Sequence, residues 1–146
     1  VGEREPMSYI DCYLVPVPRT NKAAYEELAR ISSEVLREHG ALRMVECWLD
    51  DEGPDATTYH AESARQGEPR YPTFPVVAGA TADETVVFSW VEWPDKAARD
   101  AGMARVTADP RMQFDGLPPT FEGGRLVAGG FRPMFEWPSP LRSRPP

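Results

Sequence analysis

Sulfur, histidine and lysine are scarce in this 146-residue chain: two cysteines, two histidines, and two lysines against fourteen arginines. Cys12 and Cys47 each sit inside a strand-like stretch, which excludes a disulfide framework and reads as buried thiols of a cytosolic protein. No CxxC pair is present, so redox chemistry has no support. No run of about 18 apolar residues occurs, which excludes a membrane-spanning helix. No charged, then apolar, then small pattern opens the chain, so no secretory signal is expected. GxxxxGK[ST], GxGxxG and GxSxG are all missing, and with them nucleotide cradles and the hydrolase elbow. Positive charge is short as well. Sixteen Lys+Arg face 23 Asp+Glu, a formal net charge of −7. Such a balance disfavours nucleic acid and anionic membrane surfaces as partners.

Apolar residues make up 41% and charged residues 27%, enough for one packed domain, expected over residues 7–136. Sixteen prolines are about twice the usual share. They crowd the end, WPSPLRSRPP, and a central stretch, EPRYPTFP. Residues 1–6 and 137–146 are therefore expected to be flexible termini, and the proline-rich part of the 50–83 linker to be extended.

YIDCYLVPV (Tyr9–Val17) reads as a strand, ALRMVECWL (Ala41–Leu49) as a second and TVVFSWVEW (Thr85–Trp93) as a third. A fourth is expected over Arg125–Phe135, where Gly129 and Gly130 suggest a bulge or a close backbone approach. Between the first two strands, Ala24, Leu28, Ile31 and Val35 recur at helical spacing over Asn21–His39. Thr20 or Asn21 can cap that helix, Gly40 suits the left-handed position after it, and Glu26 with Arg30 forms a four-apart pair. Pro94 suits the first turn of a second helix, running through KAARDAGMARVTA to Asp109-Pro110. The 50–83 linker is long for a hairpin, and its ATTYHAESA stretch has helical character.

Strand, helix, strand, strand, helix, strand is the ferredoxin-like α+β order: a four-stranded antiparallel sheet with two helices on one face. In the second strand, Leu42, Met44, Glu46 and Trp48 alternate with Arg43, Val45, Cys47 and Leu49, and both sets are largely apolar. A sheet apolar on both faces, with helices for one, implies a partner sheet. A homodimer with sheets packed face to face is expected.

The segments SYIDCYLVPVPRTNKAAY, EHGALRMVECWLDD, ETVVFSWVEWPDKAARDAGM, DPRM and GGF together resemble the DUF1428 family, from about Met7 to Phe135. That family is similar to the dimeric α/β-barrel superfamily, which includes cofactor-independent monooxygenases, haem-degrading enzymes, lactone isomerases and polyketide cyclases. The resemblance implies a dimeric barrel in the cytoplasm and no defined activity. Residues 67–82 look like an insertion relative to the family, of a kind that can serve as a lid.

Chemistry must then come from polar side chains on strands. Asp11, Glu46 and Glu92 are carboxylates within strands, and a buried carboxylate has a raised pKa suited to a general base. Their simplest alternative is structural pairing with Arg43, Arg125 or Arg132. Glu46 or Asp11 is the candidate base, His60 the acid, and Arg43 the stabiliser of a developing oxyanion. Tyr13, Tyr59, Trp48 and Trp90, with Phe88, are candidate walls for a flat apolar ligand. Trp93 reads as a corner-packing residue. His39 is explained by the helix dipole. His60 with Glu62, or Asp50, Asp51 and Glu52, match no established metal spacing. The expected function is cofactor-independent acid/base chemistry, whether isomerisation, cyclisation or oxygenation, on an apolar or aromatic small molecule. The alternatives are a non-catalytic binding protein, or a haem protein with His60 as axial ligand.

Overall fold

In the computed structural model, which describes residues 8–52, 72–114 and 117–138, the elements run β1 (Tyr9–Pro18), α1 (Lys22–Glu38), β2 (Arg43–Trp48), α2 (Phe74–Ala78), β3 (Glu84–Trp93), α3 (Lys96–Ala108) and β4 (Val127–Phe131). The four strands form one antiparallel sheet in the order β2-β3-β1-β4. This is the ferredoxin-like α+β architecture that the order of elements implied.

Strand alternation sorts the sheet into two faces. Tyr9, Asp11, Tyr13, Val15 and Val17 of β1 share one face with Val87, Ser89, Val91 and Trp93 of β3 and with Met44, Glu46 and Trp48 of β2. That face carries α1 and α3: Val35, Leu36 and Val106 pack with Tyr9, Val91 and Trp93, and Tyr25 packs with Val15, Val17 and Val87. The opposite face holds Ile10, Cys12, Leu14, Phe88, Trp90, Arg43, Val45 and Cys47. Among the described residues, α2 covers one end of it, where Ala78 packs on Leu14 and Val86.

Local chemistry explains the element ends. Asp95 caps α3 by accepting from Ala98 N–H at 2.7 Å, so Pro94 lies just before the cap and outside the first turn. Gly40 has φ +109°, as the left-handed stop after α1 requires. Asn21 precedes α1 but caps nothing with its side chain, which donates instead to the Thr120 carbonyl. The buried stripe of α1 is Tyr25, Val35 and Leu36, and Ala24 faces water. Of the expected stripe, Val35 is fully buried and Leu28 and Ile31 half-buried, while Tyr25 rather than Ala24 fills its first turn. Arg30 pairs with Glu27 and Glu34, while Glu26 accepts from the Trp48 indole N–H at 2.9 Å.

Two further expectations are corrected. The proline-rich part of the linker is not wholly extended: Thr73 caps α2, Pro75 lies in its first turn where no amide donor is needed, and Gly79 ends it at φ +70°. The fourth strand is shorter than expected, because residues 123–125 form a 3₁₀ turn and pairing with β1 ends at Phe131. Residues 53–71, including ATTYHAESA, lie outside the described residues.

Trp93 is fully buried and sets the distance between sheet and helices. Its ring lies against Gly102 of α3 so closely that a Cβ there would overlap it, and the same Cβ would sit 2.7 Å from the His39 carbonyl. Gly130 answers to a similar demand, its Cβ position being occupied by the Tyr9 ring and hydroxyl, so of the two glycines it is Gly130 that marks a close approach. Below Trp93, the DPRM segment ties the ends of α1 and α3: Asp109 holds His39 Nε2 at 3.1 Å, and Arg111 reaches Glu38 and Asp109. His39 thus has a carboxylate partner beyond the helix dipole.

Gly102→Ala should destabilise the fold by about 1–3 kcal/mol through overpacking against Trp93, read as a lower urea midpoint at unchanged slope. An unchanged midpoint would show that the helix does not depend on this contact.

Candidate functional site: a polar seam between sheet and helices

Polar side chains interrupt the apolar face under the helices. Glu46, Ser89 and Tyr13 lie side by side across β2, β3 and β1, since Glu46 pairs with Ser89 and Ser89 with Tyr13. Asp11 stands one alternation further along β1 on the same face. The sequence could not show whether Asp11 and Glu46 share a side; the register places them together.

Glu46 is half-buried on an edge strand. Tyr25 of α1 donates its hydroxyl to Glu46 Oε2 at 2.8 Å. Burial pushes the Glu46 carboxyl above its ordinary range, opposed by hydrogen bonds from Tyr25 and Ser89. Among the described residues no lysine or arginine forms an ion pair with it. Burial also raises Tyr25 strongly, with the Glu46 charge adding to it. Tyr13 is pushed up to about 12, first by burial and then by the neighbouring Asp11 charge, with a smaller contribution from Glu46.

Asp11 is held differently. Only 4% of it is exposed, and Arg99 of α3 donates to its Oδ1 at 2.8 Å while the guanidinium lies 4.7 Å from the Tyr9 ring centre. Desolvation still outweighs this cation, and the Asp11 pKa is raised. The Trp93 indole favours the ionised form, and among the described residues neither Asp11 Oδ2 nor Trp93 Nε1 makes a hydrogen bond of good geometry.

Several expected roles change. Arg43 projects from the opposite face of β2 to Glu46, so it cannot steady charge developing beside that carboxylate. Trp48 and Trp90 also lie on opposite faces and do not wall one cleft. Trp48 packs edge-on against Tyr25 at 5.4 Å, with Lys22 over its ring. Trp90 lies beside Phe88 on the open face. The arginine that meets Asp11 is Arg99; Arg125 pairs with Glu84, whose carboxyl it lowers to about 2. Arg99 and Tyr25 were missed because helix residues reveal their strand partners only once the helices are docked, and Ser89 because only the register of β2 on β3 sets it beside Glu46. His60 and Tyr59 lie outside the described residues, and the haem-ligand expectation with them.

Two cavities flank β2. One, of about 200 Å³, opens beside α2 and is walled by Cys47, Trp48, Leu49, Phe74 and Phe88. The other, of about 330 Å³, lies between α1 and β2 over Leu36, Leu42 and Met44. Among the described residues, no three His, Cys, Asp or Glu side chains gather as metal ligands would. No helix among them is long and apolar enough to cross a membrane.

The family model described as "Protein of unknown function (DUF1428)" matches residues 8–123. The chain belongs to the DUF1428 family. It is 37% identical over 130 residues to "Uncharacterized protein YbaA" of Escherichia coli strain K12, covering 89% of this chain and 99% of that protein. It matches "Uncharacterized protein YbaA" of Shigella flexneri to the same extent. Within this DUF1428 chain, Asp11, Tyr13, Glu46, Ser89 and Arg99 all fall inside the matched span.

Two variants probe the seam. Because the folded-state pKa of Glu46 lies above its ordinary 4.5, stability present below that pH is lost as pH rises through the raised value. Glu46→Gln, which can still accept from Tyr25, should therefore gain in melting temperature over the parent as pH climbs from about 4.5 towards neutrality. Melting curves that stay parallel across that window would refute the raised pKa. Arg99→Ala should cost about 3–5 kcal/mol by leaving the Asp11 carboxylate buried without its cation. In an Asp11→Asn background the loss should shrink, as a double-mutant cycle of chemical unfolding would reveal.

Proposed function

We propose that this chain is a small-molecule enzyme of the dimeric α/β-barrel type that performs cofactor-independent acid/base chemistry on an apolar or aromatic substrate. The observation that carries the reading is Glu46: a half-buried carboxylate with a raised pKa, no ion-pair partner among the described residues, and a tyrosine hydroxyl at 2.8 Å. A carboxylate desolvated in this way is a stronger base than one in water. Glu46 takes a proton from a carbon or hydroxyl acid. The Tyr25 hydroxyl, whose one proton goes to Glu46 Oε2 at 2.8 Å, holds that carboxylate in place for the transfer. Isomerisation, cyclisation and oxygenation of an enolisable substrate all begin with that proton transfer. A second reading, a non-catalytic small-molecule binder, is supported by the apolar cavity of about 200 Å³ between Trp48, Phe74 and Phe88.

The reading includes a homodimer. The open sheet face carries Ile10, Cys12, Val45, Phe88 and Trp90 in its centre and Arg43 opposite Glu92 at one end. An apolar centre with both charge signs at the margin is self-complementary under a two-fold axis.

Deuterium exchange at the acidic carbon of a panel of aromatic β-keto esters and lactones, followed by NMR, tests the chemistry. Exchange above the buffer rate that falls at least about a hundredfold in Glu46→Gln supports a base at that position. Exchange equal in both proteins removes the enzyme reading. Binding without exchange, seen as retained small molecules in native mass spectra, favours the second. For the dimer, Cys12 and Cys47 share the face to be covered, so their alkylation by a maleimide should slow as protein concentration rises. A rate independent of concentration, together with a monomer mass, would count against it.

A further inference from the structure

Beyond β4 the chain carries large apolar side chains that no described residue covers. Met134 is 98% exposed, Phe135 81% and Trp137 86%, and Phe131 at the end of the strand is 55% exposed. Between them Glu136 accepts a hydrogen bond from the Ser8 hydroxyl at 3.1 Å, which fastens the segment beside the start of β1. The root is thus held by a polar contact while its apolar groups face outward. A single subunit rarely leaves so many large apolar groups of one short segment in water.

We propose that residues 132–137 form an arm that lies against a second copy of this chain, a proposal that rests on the face-to-face dimer above. Three observations choose that occupant. First, the arm is continuous with the face to be covered: Phe131 pairs with Ile10 and so belongs to the open side of the sheet. Second, the area is of the right size. Burying Phe131, Met134, Phe135 and Trp137 would remove roughly 600 Å² from water, most of the ~800 Å² per partner of a stable interface. Sheet faces alone are small in a four-stranded domain, and the arm extends their contact. Third, a net charge of −7 opposes an anionic lipid surface, the other common destination of an exposed tryptophan and phenylalanine. The tether at Glu136 holds Phe135 and Trp137 at the margin of their own sheet, from which a facing sheet is the surface within reach.

The experiment compares the full chain with the double variant Phe135→Ser, Trp137→Ser by sedimentation velocity over a dilution series. Both side chains are exposed, so the variant should keep the parent's far-UV spectrum and chemical unfolding slope. The expected result is a dimer for the full chain and dissociation at least about tenfold weaker for the variant. In parallel, 5-fluorotryptophan labelling assigns the Trp137 resonance by its loss in the variant, and that resonance should shift as the full chain dissociates. Equal dimer dissociation constants, with a Trp137 signal that does not move, would overturn the arm and leave the dimer standing. A full chain that is monomeric at every concentration would overturn the dimer and the arm together. A Trp137 signal that broadens with phosphatidylcholine vesicles, in a chain whose dimer is indifferent to the substitutions, would assign the segment to lipid and refute the proposal.

Discussion

The central strand β3 is apolar on both of its faces, and the rest of the molecule is arranged around that constraint. Val87, Val91 and Trp93 must be covered from one side, Val86, Phe88 and Trp90 from the other. Two helices meet the first demand. Trp93 defines how closely they approach, and the glycine at 102 is the concession that lets α3 lie against an indole. The second demand is met only in part, by the short α2 over Leu14 and Val86. What the described residues leave uncovered is the basis for proposing it as half of a pair.

The polar seam is the exception within the covered face. An apolar residue at position 46 or 11 would suit the packing better, since each carboxylate loses hydration that its hydrogen bonds only partly replace. The two solve the problem in different ways. Asp11 takes a cation from α3 and remains locked beneath Tyr9 and Trp93. Glu46 takes neutral donors, Tyr25 and Ser89, and stays on an edge strand where solvent reaches it. That contrast separates a charge held for structure from one available for chemistry, and it is why the proposed base is Glu46.

Much of this was legible in order and period. The alternation of Met44, Glu46 and Trp48 against Arg43, Val45 and Cys47 is observed as read, and so is the left-handed Gly40 after α1. The candidate site was legible as a list of residues but not as an arrangement. Arg43 and Glu46 are three apart in one strand, so a pleated backbone sends them to opposite faces, a consequence of period two that rules out the oxyanion role for Arg43. Arg99 was invisible because it lies 88 residues from Asp11 and the two meet only when α3 crosses the sheet. The α2 helix was hidden by Pro75 within it and Pro72 before it, although Thr73, Pro75 and Gly79 are respectively a cap, a first-turn residue and a left-handed stop.

Local chemistry, carried by the sequence itself, determined the elements, their order and the two-sided apolar character of the sheet, because propensity, capping and periodicity act over a few residues. The tertiary structure alone decided which strands are neighbours, that Asp11 and Glu46 share the helix-covered face, and that one meets a guanidinium while the other meets a phenol. Those outcomes depend on register and on the docking of helices across long stretches of chain, where a shift of one residue turns every side chain to the other face.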